Sequence, residues 1–118
     1  MGLVVIEGNV ARKASTEDLA EAAYALISLV PPGRVVSYRS IAELLGVSPR
    51  LVGYLMKKNR KPLIVPCHRV VGSDGGLVGY SLGGLGVKRR LLEIEGVRFC
   101  GGKVCKEHFY DLRSLLGR

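Results

Sequence analysis

Apolar residues recur at helical spacing in several parts of the chain, each bounded by residues that start or stop helices. Ser15-Thr16-Glu17-Asp18 combines an N-cap with an acidic first turn, and it predicts a helix that ends before Pro31-Pro32-Gly33. A short helix is predicted next, capped by Ser40 and ended by Gly46. Ser48-Pro49 predicts the start of another, because proline is favoured at the first helical position. Two short helices joined by a glycine-containing turn predict a helix-turn-helix.

The rest of the chain alternates short extended segments with turns. The apolar run 63–71 is typical of a buried strand, but Pro66 cannot donate to a strand ladder, so we expect the chain to turn there. An amphipathic helix is predicted over 87–95, then a hairpin around 101–104 and a polar helical segment over 107–116. The predicted fold class is therefore mainly α, a winged-helix-like helix-turn-helix domain with short β-strands and a hairpin.

The length and composition indicate one domain over residues 1–118, since a chain of this size can bury its own core. No apolar stretch approaches the length of a membrane span, and the apolar start of the chain is too short for a signal peptide. We therefore expect a cytoplasmic protein with no membrane association.

Positive charge is concentrated in one part of the sequence. The chain has 18 basic and 10 acidic residues, a net charge of +8, and no carboxylate lies between Glu43 and Asp74. The basic residues of that window are Arg50, Lys57, Lys58, Arg60, Lys61 and Arg69. A solvated surface helix could have this charge, but such helices usually mix signs, so the window favours a nucleic-acid partner.

The second helix of the predicted helix-turn-helix divides into two faces. Its apolar stripe consists of Leu51, Val52, Leu55 and Met56. Its outer face carries the predicted DNA contacts Arg50, Gly53, Tyr54, Lys57 and Lys58. Helix-turn-helix units also serve purely as packing motifs. Gly53 on the outer face nevertheless calls for a reason, because glycine costs about 1 kcal/mol relative to alanine inside a helix. Close approach of the helix backbone to a partner would explain its presence on this face.

The chain has three cysteines. Cys100 and Cys105 flank the predicted hairpin turn and are near enough in sequence to bridge, which would be unusual in a reducing cytosol unless the source is a hyperthermophile. Whether they do so stays open at this point. Two further ligands are missing for structural zinc, so we expect no metal.

Cys67 stands apart from the other two, directly before His68. A thiol becomes a strong nucleophile when a base or a positive field stabilises the thiolate. His68 could accept the thiol proton, and a carboxylate could orient the imidazole. Glu93 and Glu95 are the candidates for that carboxylate, whereas Asp74 is expected to face solvent. The alternatives are an inert buried cysteine and a cysteine hydrolase.

The sequence around this cysteine resembles a known active-site motif. Pro66-Cys67-His68-Arg69-Val70, with Asn59 eight residues before the cysteine, is similar to the motif of the O6-alkylguanine-DNA alkyltransferases, also called methylated-DNA-protein-cysteine methyltransferases. The match runs from about residue 22 to residue 96 and includes segments 32–38, 79–81 and 88–96. The resemblance implies a monomer that binds double-stranded DNA containing O6-alkylguanine, flips the damaged base and transfers its alkyl group once, without a cofactor.

The resemblance also implies roles for individual residues. The catalytic set would be Cys67, His68, Glu95, Asn59 and Tyr38, with Cys67 as the alkyl acceptor and Tyr38 as a donor to the purine ring. Arg50 would fill the gap in the base stack, and Arg69 joins the predicted DNA contacts. The base pocket would consist of Met56, Val70, Tyr80 and Ser81, with Ser81 near guanine O6.

Two departures from the family pattern affect this reading. Leu82 is an extra residue after Ser81, and only about twenty residues precede the first matched helix, where most members carry a separate N-terminal domain. We therefore expect a nearly minimal catalytic unit. Short relatives, the alkyltransferase-like proteins, also lack that domain but generally have another residue at the position of Cys67. An alternative function is thus to flag O6-alkylguanine without transfer.

Overall fold

The computed structural model describes residues 4–7, 10–13, 15–59, 65–77 and 84–116. Some predicted features lie outside these ranges, namely residues 63 and 64 of the apolar run, Arg60, Lys61, Tyr80, Ser81 and Leu82. In chain order the helices and strands are β1 (Val4–Glu7), β2 (Val10–Lys13), α1 (Thr16–Ser28), β3 (Val36–Ser37), α2 (Tyr38–Leu45), α3 (Pro49–Lys57), β4 (Val70–Val71), α4 (Gly84–Ile94), β5 (Phe99–Cys100) and β6 (Lys103–Val104). Short 3-10 turns span Cys67–Arg69, Lys106–His108 and Leu112–Leu116. The mainly α fold class is confirmed.

Helix α1 begins where the capping signature predicts. The backbone N–H of Asp18 donates to the Ser15 hydroxyl at 3.2 Å, and the Asp18 carboxylate accepts from the Ser15 backbone N–H at 2.9 Å. This reciprocal pair satisfies two backbone donors at the helix start. The helix turns Leu19, Ala23 and Ile27 into the core, as their four-residue spacing predicts.

Helices α2 and α3 form the predicted helix-turn-helix, with one difference at its start. Ser37 caps α2, because its hydroxyl accepts the backbone N–H of Ser40 at 3.0 Å. The prediction that Ser40 is the cap was therefore wrong. Gly46 ends α2 at a φ of 71°, a left-handed conformation that favours glycine. Ser48 caps α3 as predicted, accepting from the backbone N–H of Leu51 at 3.1 Å.

The core joins these helices to the segment that carries the cysteine. Strand β3 pairs in parallel with β4, with Val36 opposite Val70 and Ser37 opposite Val71. The 3-10 turn 67–69, directly before β4, packs against both α1 and α4. The fully buried residues around it include Ile27, Ile41, Val52 and Leu55. The segment is consequently held between helices on several sides.

The C-terminal part differs from its prediction in detail. Helix α4 begins at Gly84, three residues earlier than predicted. Strands β5 and β6 form the predicted hairpin, and Gly101 and Gly102 turn between them with φ values of 62° and 85°. Cys100 and Cys105 are joined by a disulfide, which settles the question that the sequence left open. A two-residue turn with positive φ at both positions brings the flanking strands together.

The helical segment predicted over 107–116 is wrong as one continuous element. Instead two 3-10 turns are separated by an extended stretch. Phe109 there forms a bridge with Val35, and the backbone N–H of Tyr110 donates to the Val35 carbonyl at 2.8 Å. Pairing with this strand-like residue competes successfully with helix propensity, which is only a weak local preference.

The antiparallel pair β1 and β2 was not predicted. Val4 lies opposite Lys13 and Glu7 opposite Val10. A run of β-branched residues before the Gly8-Asn9 dipeptide is a hairpin signal, but the start of the chain had been considered only as a possible signal peptide.

Within the described ranges no helix has the length and apolar character needed to cross a bilayer.

Candidate active site

Cys67 and His68 lie on a tight turn and not on a regular strand. The backbone N–H of Arg69 donates to the Pro66 carbonyl at 3.0 Å, and that of Val70 donates to the Cys67 carbonyl. In a strand, neighbouring side chains would point to opposite faces, and the turn removes that constraint. Both side chains are buried, at 3% exposure for Cys67 and 5% for His68. The predicted break at Pro66 is confirmed.

Asn59 connects α3 to the segment before the cysteine. It follows the end of α3 and is buried. Its side-chain amide donates to the Val65 carbonyl at 3.1 Å, and the same carbonyl accepts the backbone N–H of Cys67 at 2.7 Å. This pair of contacts fixes the segment before the thiol, so Asn59 supports the Cys67–Arg69 turn through the main chain.

Glu95 is the carboxylate that orients the imidazole. His68 Nε2 lies 2.8 Å from Glu95 Oε2, with both side chains largely buried. Burial lowers the pKa of His68, and the nearby Arg69 and Lys88 charges act in the same direction, against the opposing effect of Glu95. Burial alone would raise the pKa of Glu95, but hydrogen bonds from Arg69 and His68 outweigh it and lower that pKa. The pair is therefore a neutral imidazole beside a carboxylate at neutral pH.

The other carboxylates considered from the sequence lie elsewhere. Glu93 contacts Arg89 on the same helix at 3.4 Å, and Asp74 pairs with Lys103 at 3.0 Å in an exposed position. The expectation that Asp74 faces solvent is confirmed. Of the two candidates Glu93 and Glu95, Glu95, which directly follows α4, is the one that contacts His68.

Tyr38 contacts Lys88, which is not among the site residues predicted from the sequence. Lys88 on α4 is fully buried, and its Nζ donates to the Tyr38 hydroxyl at 3.3 Å. Burial lowers the pKa of Lys88 to about 8, against the opposing effect of a negative charge on Cys67. Burial and the same charge raise the pKa of Tyr38 to about 12. The ammonium, the phenol and the thiol thus interact electrostatically at one site.

A signal for Lys88 was present in the sequence. Lys88 precedes Leu92 by four residues, so it occupies the face of the amphipathic helix that is turned to the core. Lysine is almost never fully buried without a specific interaction. A charged residue at a core position of a helix is therefore a functional candidate.

The outer face of α3 carries the basic surface away from this buried cluster. Arg50, Lys57 and Lys58 are exposed, Tyr54 is 49% exposed, and the Lys58 Nζ lies 5.2 Å from the centre of the Tyr54 ring. A Cβ atom added at Gly53 would meet nothing within 4 Å. Packing within this protein therefore does not require a glycine there.

Three of the predicted site residues are largely buried in the described structure. Met56 is 5% exposed and Val70 is fully buried, and both pack in the main core. The Arg69 side chain is 13% exposed and lies against Glu95, although the sequence predicts a DNA contact for it. Tyr80 and Ser81 fall outside the described ranges, so their roles stay predictions.

The family model "6-O-methylguanine DNA methyltransferase, DNA binding domain" matches residues 18–97. A methylated-DNA--protein-cysteine methyltransferase of Pyrobaculum aerophilum is 52% identical over 77 residues, which cover 65% of this chain and 51% of that protein. The chain thus spans about half the length of this curated relative.

Solved structures give the same picture. The O6-methylguanine-DNA methyltransferase of Pyrococcus kodakaraensis strain KOD1 is 46% identical, with a TM-score of 0.61 over 66% of this chain and 46% of that chain. S. pombe Atl1, in complex with damaged DNA containing O6-carboxymethylguanine, is 26% identical, with a TM-score of 0.70 over 82% of this chain and 98% of that chain. The fold is therefore shared with proteins whose sequences have diverged widely.

Proposed function

Because the chain belongs to the 6-O-methylguanine DNA methyltransferase family, we propose that it repairs DNA directly, by moving the alkyl group of an O6-alkylguanine onto Cys67. The observation that carries this proposal is the buried free thiol of Cys67 next to His68, whose Nε2 lies 2.8 Å from Glu95. A thiol, a base and an orienting carboxylate are the parts that nucleophilic cysteine chemistry needs.

The partner in this proposal is double-stranded DNA, bound through the outer face of α3. Its basic side chains would neutralise backbone phosphates, while Tyr54 would add apolar contact. The alkylated oxygen is unreachable inside a base stack, so the nucleotide has to be rotated out. Arg50, exposed in the first turn of α3, would occupy the space that the rotated base leaves.

The chemical step is a displacement at the alkyl carbon. His68 accepts the thiol proton through its Nδ1 atom, directly or through a water molecule, because Nε2 is held by Glu95. The thiolate forms the S–C bond as the C–O6 bond breaks, and the bonding electron pair moves into the purine. The purine anion takes up one proton from solvent water, and His68 returns the thiol proton to solvent, so protons and electrons balance. Tyr38 donates a hydrogen bond toward the ring nitrogen. No electron acceptor or cofactor is required.

The base pocket remains as the resemblance assigns it. Tyr80 and Met56 would wall the flipped purine, Ser81 would donate to O6, and the main chain near Val70 would receive the exocyclic amine. The product on Cys67 is a thioether, which water does not hydrolyse. Each molecule is therefore a single-use reagent, and we propose that it acts as a cytoplasmic monomer.

Intact mass spectrometry tests the transfer directly. After the protein is mixed with duplex DNA containing O6-methylguanine, we expect a mass gain of one CH₂ group, located on the peptide that contains Cys67. The matched controls are Cys67→Ser, which should gain nothing, and the double variant Cys100→Ser/Cys105→Ser, which should gain as the wild type does. If the wild-type protein binds the duplex but its mass does not increase, transfer of the alkyl group is refuted.

Lesion binding without transfer is the second candidate function. The structural similarity to S. pombe Atl1, whose structure contains damaged DNA, extends over 82% of this chain. The same experiment separates the two functions, because a lesion-binding protein would prefer the O6-methylguanine duplex over an undamaged one and keep its original mass.

A further inference from the structure

The Arg69 side chain is committed to contacts inside the protein. Its Nε donates to Glu95 Oε1 at 2.9 Å and its Nη2 to Glu95 Oε2 at 2.7 Å. Its Nη1 donates to the Val30 carbonyl at 2.9 Å, just beyond the end of α1. The planar guanidinium suits this two-pronged contact with a carboxylate, which a lysine cannot reproduce. Arg69 therefore fixes Glu95 in position and joins it to α1.

Arg69 and His68 share one atom of that carboxylate. Glu95 Oε2 accepts from Arg69 Nη2 at 2.7 Å and lies 2.8 Å from His68 Nε2. A carboxylate next to an imidazole normally favours the protonated ring, which could not accept another proton. The Arg69 guanidinium bound to the same carboxylate reduces the preference for a protonated imidazole. Its positive charge is permanent, because a guanidinium does not lose its proton in proteins.

From this shared contact we infer that Arg69 is a positioning residue of the transfer site, which holds Glu95 against His68 and keeps the imidazole neutral so that it can take the thiol proton. This inference rests on the proposed transfer function. It also assigns Arg69 a role inside the site in place of the DNA contact expected from the sequence.

The other groups around His68 are compatible with this role. Lys88 from α4 adds a second positive charge that opposes protonation of the ring. Tyr24 of α1 and Tyr38 of α2, which interact electrostatically with the neighbouring Cys67, are neutral at physiological pH, since burial raises the pKa of both. The remaining neighbour on the same turn is Cys67, whose proton the ring would accept. Glu95 is thus the one carboxylate that the described residues place against His68.

The experiment uses a neutral and a charged replacement of Arg69 in the full chain. The His68 imidazole is titrated by NMR in the protein without DNA, with its resonance assigned by its loss in His68→Gln. In Arg69→Gln we expect the pKa of His68 to shift upward, because the full Glu95 charge then faces the ring. In Arg69→Lys the charge remains, so the shift should be smaller.

Transfer and DNA binding are measured on the same variants. We expect both variants to lose about tenfold or more in single-turnover rate, a part of the roughly 10²- to 10⁴-fold that a general base contributes. The acid limb of the Arg69→Gln profile should move to higher pH. Affinity for undamaged duplex should stay within about twofold of wild type, while Lys57→Gln, the comparison variant for a phosphate contact, should weaken it.

Two results would overturn the inference. One is a His68 pKa that is unchanged or lower in Arg69→Gln, and the other is a loss of duplex affinity as large as that of Lys57→Gln. If Arg69→Gln does not fold, Arg69→Lys decides alone, by whether its rate falls while its duplex affinity is kept. The titration needs no DNA, so failure of wild-type protein to gain mass would refute the transfer proposal without altering this result.

Discussion

The Nζ atom of Lys88 lies 3.3 Å from the hydroxyl oxygen of Tyr38, and the Lys88 side chain has no exposure to solvent. Burying an ammonium is costly unless other groups stabilise its charge. A thiolate on Cys67 would do so, since its charge opposes the lowering of the Lys88 pKa. A buried Lys88 therefore reduces the stability of the fold while it favours the thiolate form of Cys67.

Lys88→Met should make the protein more stable and less active. Lys88 has a pKa of about 8 in the folded protein against an ordinary value of 10.5, so the unfolded chain binds more protons and wild-type stability rises as pH increases from 8 toward 10. The shift corresponds to roughly 3 kcal/mol at neutral pH, and methionine removes the charge at similar volume. Urea unfolding at pH 7 and 9.5 should show a gain at pH 7 and a flatter pH dependence, with transfer at least about tenfold slower. A less stable variant that keeps the wild-type pH slope would contradict the assignment.

Glu95→Gln should remove a large part of the stability at neutral pH. The folded-state pKa of Glu95 is lowered, so its contribution is fully present above the ordinary value of 4.5 and is lost as pH falls through the folded value. Breaking a buried ion pair costs about 3 kcal/mol, and the wild-type and variant curves should converge in acid. Because the pKa of His68 is also lowered, wild-type stability should already decline as pH falls below 6.5.

The control for this change is Glu93→Gln, two residues earlier in the last turn of α4. Glu93 pairs with Arg89 at the surface, where both side chains are substantially exposed. Such pairs contribute about 0–1 kcal/mol. Chemical denaturation from pH 4 to 7 should therefore leave the Glu93→Gln curve close to wild type, and an equal loss in both variants would argue against a special role for Glu95.

Gly53→Ala should stabilise the free protein and weaken DNA binding. An added Cβ meets nothing within 4 Å, and alanine in place of glycine inside a helix favours folding by about 0.5–1 kcal/mol. If the α3 backbone approaches DNA closely, the methyl group separates the two surfaces. Thermal unfolding and duplex affinity measure the two effects. Gly86→Ala in α4, where the added Cβ is equally free of contacts, should leave affinity unchanged, and unchanged affinity in Gly53→Ala would exclude close approach.

Lys57→Gln and Lys58→Gln should weaken binding to damaged and undamaged duplex alike. A residue that neutralises a phosphate releases a counterion, so each substitution should reduce the slope of log affinity against log salt by about one unit. Binding isotherms at several salt concentrations give that slope. Lys106→Gln, an exposed lysine outside the helix-turn-helix, serves as the control. A common change in slope for all variants would indicate only a net-charge effect.

Local signals in the chain were sufficient for the starts of α1 and α3, for the end of α2 and for part of the site. Ser15 with Asp18, Ser48 before Pro49, and Gly46 determine helix ends through contacts within a few residues, so their positions follow from neighbouring residues alone. The break at Pro66 is local for the same reason, because a missing backbone donor has its effect where it occurs. The Cys67-His68 pair and the basic face of α3 were therefore identified before any fold was known.

The partners of these residues were decided by tertiary contacts between distant parts of the chain. Residue type and position left Glu93 and Glu95 as equal candidates, and only the family resemblance selected Glu95. The packing of α4 against the 67–69 turn is what brings Glu95 to His68. The same packing places Arg69 on Glu95 and buries Lys88 against Tyr38. The spacing of residues along a helix predicts which face each one occupies. It does not predict which side chain of another helix, strand or turn will contact that residue. The chemistry of this site depends on those tertiary contacts, since burial and neighbouring charges set the protonation state of each group.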